Sequence, residues 1–111
     1  QIIDDDRVKI TPLPFAIEPS PISSVDAVGF NLVRRTISQV APQVIVAPFL
    51  TIPATDTRHY AKLTQDIYRF VPVAFRPEDT KRIHGVDERI AIADYLRCIR
   101  FYAQLIRNSE R

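Results

Sequence analysis

Glycine is nearly missing from this chain: Gly29 and Gly85 are the only two in 111 residues, against nine prolines. Tight hairpins draw on the positive backbone angles that glycine adopts cheaply, so few are expected here. That excludes an all-β meander and any glycine-rich phosphate loop. Methionine is absent altogether, including from position 1, so residue 1 is expected to be an internal position of a longer protein. The first residues, Gln1, Ile2 and Ile3 followed by three aspartates, have neither the basic region nor the apolar core of a signal peptide. No apolar run approaches the length of a membrane span. A single cysteine, Cys98, excludes an internal disulfide framework and a cysteine-rich metal site; it falls in an apolar stripe and is expected in the core.

Charge of one sign is also lacking. Fifteen basic residues face thirteen acidic ones, for a formal +2, which is too balanced to point to nucleic acid or an anionic membrane. Arg97, Arg100, Arg107 and Arg111 do cluster late. They read as a solvated face whose charge suits a helix C-terminus, because no interleaved aromatics accompany them. What is present is ordinary for a globular domain: 46% hydrophobic and 25% charged residues, in a length that holds one core rather than two.

Patterning along the chain predicts strands alternating with helices. Arg7 to Thr11 alternates charged and apolar residues, as a strand with one wet face does. Four prolines between Pro12 and Pro21 make a semi-rigid connector and mark a domain boundary. Ser23 and Ser24 offer N-caps, with Asp26 placed for a capping box, to a helix from about 24 to 40 that Pro42 ends. The run Val44 to Leu50 suits a strand buried on both faces. A short helix capped by Thr55 follows, then a strand from Ile67 to Ala74, a polar turn from Pro77 to Arg82 and a loop from Ile83 to Ile90. The last helix runs from about Ala91 to Asn108. Its expected core stripe is Ile92, Leu96, Ile99, Ala103 and Ile106, widened by Tyr95, Cys98, Phe101, Tyr102 and Leu105. The expected class is α/β.

Two clusters could carry chemistry. Thr55-Asp56-Thr57-Arg58 leaves a predicted strand and opens a helix, where free backbone N–H groups and a guanidinium can seat a carboxylate. On spacing alone it reads more readily as Thr55 capping the helix and Arg58 pairing with a nearby acid. The second cluster, Ile83-His-Gly-Val-Asp-Glu-Arg-Ile90, holds His84, with Gly85 expected to permit a sharp turn after it. An imidazole can ligate zinc, but a catalytic zinc takes three protein ligands, and His59 lies 25 positions upstream. A loop histidine bonded to its neighbours explains the same residues. No Ser-His-Asp or Cys-His constellation is present.

Four segments together resemble a known family: the eight residues from Gly29 to Thr36, Ala54 to Arg58, Ile67 to Pro72 and Arg82 to Glu88. In this order they resemble the C-terminal part of the dinuclear zinc peptidases of the aminoacylase and carboxypeptidase S type, nearest the branch of N-fatty-acyl-amino-acid synthase/hydrolases. The resemblance implies that 1–12 is the last strand of a lid domain. It makes 13–21 a proline-rich hinge and 22–111 the closing part of a zinc-peptidase catalytic domain with an α/β fold. It implies two zinc ions in the intact enzyme, His84 as the last metal ligand, Thr55 and Arg58 as substrate-binding residues, and Asp87 and Glu88 as acids supporting the ligand histidine. Ala54 stands where many members carry Gly, and Asp87 where many carry Asn. The family's H-x-D motif, bridging Asp and catalytic Glu are not in these residues, so no catalytic residue is expected among them.

The implied function is that of a fragment of a zinc-dependent amidohydrolase, a carboxypeptidase or N-acyl-amino-acid hydrolase, cleaving an amide next to a free carboxylate. The fragment alone is expected to be inactive. Its expected partners are the substrate, the remainder of its own catalytic and lid domains, and other copies of itself. The alternative is a non-catalytic interaction module with an anion seat at a helix N-terminus.

Overall fold

The structure, a computed structural model, describes residues 4–14, 19–53 and 55–110. Parts of the expected hinge (15–18), Ala54 and Arg111 lie outside the described residues. Two α-helices, α1 (Val28–Val40) and α2 (Ile92–Ser109), pack against each other. Two short 3-10 turns, Asp56–Tyr60 and Pro77–Lys81, lie between them.

The α/β expectation is overturned: no strand occurs among the described residues. The reason is the absence of ladder partners. At the expected lid strand, Val8 N–H turns back to the Asp5 carbonyl (2.9 Å) and the Arg7 guanidinium grips the Asp5 carboxylate (2.7 Å). That ion pair holds the exposed Asp5 carboxyl below its ordinary range. In the run expected to be buried on both faces, Ile45 is 95% exposed and Phe49 88%. In the third expected strand, Ile67 N–H is taken by the Ser23 hydroxyl and Val73 N–H by the Val71 carbonyl. Apolar runs become strands only where a neighbouring backbone and a facing layer are supplied.

α1 begins at Val28, behind Ala27 as N-cap, not at residue 24. The serines expected to cap it are engaged elsewhere. Ser23 Oγ donates to the Ile67 carbonyl (3.0 Å) and accepts Ile67 N–H (2.8 Å). Ser24 Oγ accepts Asp26 N–H, while Ser24 N–H reaches Asp66 Oδ1 (3.1 Å). These bonds tie the start of α1 to residues 65–68. Gly29 lets that segment approach closely: a Cβ there would stand 2.9 Å from the Tyr68 ring. The Tyr68 hydroxyl donates to the Ser24 carbonyl, and Phe30 tilts against its ring. Desolvation, with the charge of Asp66 adding to it, raises the phenol above its ordinary value, so it remains a donor.

α2 spans nearly the expected residues, but of its expected core only Cys98, Phe101 and Leu105, on one side of the stripe, are buried or half-buried. Its buried side chains are Asp94, Phe101 and Asn108, with Arg97, Cys98, Gln104 and Leu105 half-buried on the same side. The expected stripe of Ile92, Leu96, Ile99 and Ile106 lies about 180° away on the helical wheel, and all four are exposed. The covered face of α2 mixes Cys98, Phe101 and Leu105 with Asp94, Arg97, Gln104 and Asn108, and the more apolar opposite face is left exposed. Arg97, expected on the solvated face, pairs with Asp94 (2.6 Å).

Asn108 joins the two helices. Its Nδ2 donates to Thr36 Oγ1 (2.9 Å) and Gln39 Oε1 (2.8 Å), its Oδ1 accepts from Gln104, and its carbonyl accepts from Arg35. Thr36 is fully buried, and its hydroxyl donates to the Leu32 carbonyl. Asn108→Ala in the full-length protein is expected to cost about 1–3 kcal/mol, since it leaves the buried Thr36 hydroxyl oxygen without its donor. Thr36→Val in the same background should add less than it costs alone. Denaturant unfolding of the two singles and the double checks this.

The chain as a whole is open. Its radius of gyration is 18.5 Å, against about 13 Å for a compact domain of this size. Ile37 and Phe101 are the only buried hydrophobic residues among those described. An apolar groove of about 550 Å³ lies between α1, residues 46–51 and residues 67–70.

Candidate functional site

The Thr55 cluster folds as its sequence predicts at the local level. Thr55 is the N-cap of the Asp56–Tyr60 turn, and its Oγ1 accepts Thr57 N–H (3.3 Å). The two threonine hydroxyls lie 2.6 Å apart. Arg58 is exposed, and its Nε donates to the neighbouring His59 Nε2 (3.2 Å). No acid pairs with Arg58 among the described residues, whose ion pairs are Asp5–Arg7, Asp79–Arg82, Asp87–Arg89 and Asp94–Arg97. The expected alternative, a cap with a paired arginine, is therefore half met: the cap is present and the pair is not.

Arg69 also belongs to this cluster, and the sequence reading missed it. Its Nε donates to Thr55 Oγ1 and Thr57 Oγ1, both at 3.0 Å, and its Nη2 reaches Thr57 Oγ1 at 2.5 Å. Arg69 makes no ion pair among the described residues either. Its signal was a single charge inside the apolar run from Ile67 to Val71. Such a charge is costly to bury without polar partners.

His84 sits in a loop with φ 57°, the left-handed region that a non-glycine residue seldom occupies. The sharp turn thus falls on His84 itself, not after it on Gly85. Gly85 serves a close approach: its N–H bonds the Arg82 carbonyl (2.8 Å), and a Cβ there would lie 3.1 Å from the carbonyl oxygens of Arg82 and Lys81. The Glu88 carboxylate accepts the backbone N–H of His84 (3.2 Å), not its ring. Asp87 pairs with Arg89 (2.6 Å) on the surface. Both imidazole nitrogens of His84 are without a hydrogen-bond partner among the described residues, and the side chain is exposed.

No hydrogen bond joins the two clusters among the described residues, and no three potential metal ligands converge there. No described helix is long and apolar enough to cross a membrane.

Residues 7–108 match Peptidase family M20/M25/M40. Over its whole length the chain is 47% identical to 21% of the probable carboxypeptidase S-like 2 of Dictyostelium discoideum. Over 98% of its length it is 43% identical to 22% of the human N-fatty-acyl-amino acid synthase/hydrolase PM20D1. Over 83% it is 28% identical to 18% of the putative carboxypeptidase YOL153C of Saccharomyces cerevisiae. The chain thus spans about a fifth of the length of the curated relatives it matches. No solved structure matches it. The match covers both clusters, the segment between them and the two helices, and the chain belongs to Peptidase family M20/M25/M40.

Proposed function

We propose that this chain is part of a metal-dependent amidohydrolase, a carboxypeptidase or N-acyl-amino-acid hydrolase. In this reading it supplies the seat for the substrate's free carboxylate and one metal ligand. The observation that carries the reading is the Thr55–Arg58 turn. It joins two hydroxyls to the Arg69 guanidinium and carries the exposed Arg58 in the same turn, and neither arginine is neutralised by a carboxylate among the described residues. Such a group has the charge and the donor geometry that a carboxylate fits, and guanidinium can grip both carboxylate oxygens. The family match and the names of the relatives, carboxypeptidases and N-fatty-acyl-amino acid hydrolases, support the reaction class.

In this reading residues 1–12 belong to a lid domain, 13–21 form the hinge, and 22–111 finish the catalytic domain. Arg58 would hold the substrate by its carboxylate and so fix where the adjoining amide lies. His84 would offer an imidazole nitrogen to zinc, and Glu88 holds the backbone from which it projects. Two zinc ions, when bound, would polarise the amide carbonyl and acidify a water towards neutrality. The general base and the other ligands come from residues outside this chain, so the 111 residues alone are inactive.

Arg58→Ala in the full-length, metal-loaded protein tests the seat. The expected result is a KM raised about tenfold or more for an N-acyl amino acid, with kcat changed much less. An unchanged KM would remove the seat from Arg58.

A further inference from the structure

We propose that Asp79 is a positioning residue for His84. Through Arg82 it holds the turn that keeps the His84 backbone left-handed, so that the imidazole is set in place before a metal arrives. This rests on the reading of His84 as a metal ligand.

The turn runs from Arg82 to Gly85 and is closed by Gly85 N–H on the Arg82 carbonyl (2.8 Å). His84 is its third residue, with φ 57°. A positive angle at that position suits glycine, as in a type II turn, and strains a residue that has a Cβ. Glycine stands one place later, where a Cβ would lie 3.1 Å from the carbonyl oxygens of Arg82 and Lys81. A histidine in this conformation persists only where its surroundings hold it.

The hold comes from both sides. Asp79 Oδ2 accepts Arg76 N–H (2.8 Å), and Oδ1 accepts Arg82 Nη2. Arg82 N–H donates to the Asp79 carbonyl (3.0 Å). Asp79 thus fixes Arg82 by its backbone and by its guanidinium, and the carbonyl of that same Arg82 closes the turn. From the far side Glu88 accepts His84 N–H (3.2 Å). The Asp79–Arg82 pair is also sheltered: its side chains are 28% and 26% exposed, against 68% and 63% in Asp87–Arg89. Shelter reduces screening by salt, so this pair keeps its strength where the surface pair does not. Every one of these bonds clamps backbone. The imidazole is exposed, and its nitrogens have no partner among the described residues.

The test uses the full-length protein. Zinc affinity is measured by chelator competition, and ligand geometry by the visible spectrum of the cobalt-substituted form. Asp79→Asn keeps the outline but has one acceptor oxygen where two are in use. It is expected to weaken zinc binding about ten- to a hundredfold and to alter the cobalt bands, with the melting midpoint of the metal-free protein nearly unchanged. Arg82→Gln removes the other half of the pair and reads the same quantities should Asp79→Asn fail to fold. The double variant should be no worse than the poorer single, because both break one contact. Arg82→Lys, which keeps the charge, should retain more affinity than Arg82→Gln. Unchanged affinity and cobalt bands, or a lowered metal-free midpoint with the bands intact, would overturn the proposal. His84→Ala separates the two layers. If it loses zinc while Asp79→Asn binds as the parent does, the ligand stands and the role of Asp79 falls. If His84→Ala keeps its zinc and its cobalt bands, both fall.

Discussion

Produced alone, the 111-residue chain is expected to show no sharp thermal transition, to self-associate and to hydrolyse no N-acyl amino acid. Cooperative unfolding needs a core whose burial offsets the conformational entropy of the chain. Here Ile37 and Phe101 are the buried hydrophobics among the described residues, while Ile45, Phe49, Ile52, Leu63, Ile92 and Ile106 are each at least 60% exposed. An apolar surface of that extent is a binding surface or an aggregation hazard. The groove beside α1 and the free face of α2 are where other copies would attach. Calorimetry and sedimentation velocity are the measurements. A monomer with a single sharp transition would show that α1 and α2 suffice as a core, and measurable amide hydrolysis would show that the chain carries its own general base.

His84→Ala in the full-length protein is expected to have the largest effect of any single substitution here. Loss of a group that only supports a ligand costs about 10- to 100-fold in metal affinity or activity, so loss of a ligand should exceed 100-fold. Metal content measured on the purified variant should fall with activity. Glu88→Gln is a useful companion, since Glu88 touches the backbone of His84 and not its ring. It should cost at most the outer-shell figure. A His84→Ala variant that keeps full metal content and activity would return His84 to an ordinary loop histidine.

The helices were legible because their signals are local. Apolar residues at helical spacing fix α1 and α2 to within a few residues, and Thr55 caps its turn because the contact spans only two positions. The strands were misread because the signal was half of an interaction. The runs 44–50 and 67–74 state that something apolar should cover them, but not what pairs with their backbones. The face of α2 was misread for a related reason. The more apolar side of a helix is not always the side that meets its neighbour, and here Asn108, a polar residue outside the expected stripe, joins α2 to Thr36 and Gln39 of α1. Arg69 was hidden because its partners lie 12 and 14 residues away in sequence.

The bond from Asn108 to Thr36 and Gln39 also exposes the helix pair to chemical ageing. Deamidation would replace one NH₂ group with an oxygen and leave the outline of the side chain unchanged. The two donors aimed at Thr36 Oγ1 and Gln39 Oε1 would become a carboxylate oxygen facing two other oxygens. The new carboxylate would regain partners only if the Thr36 hydroxyl left the Leu32 carbonyl or the Gln39 amide turned over, so the junction of α1 and α2 would have to rearrange. Its position inside a helix, with the amide engaged on both sides, protects it, so the damage would accumulate in molecules whose α2 has already come away from α1.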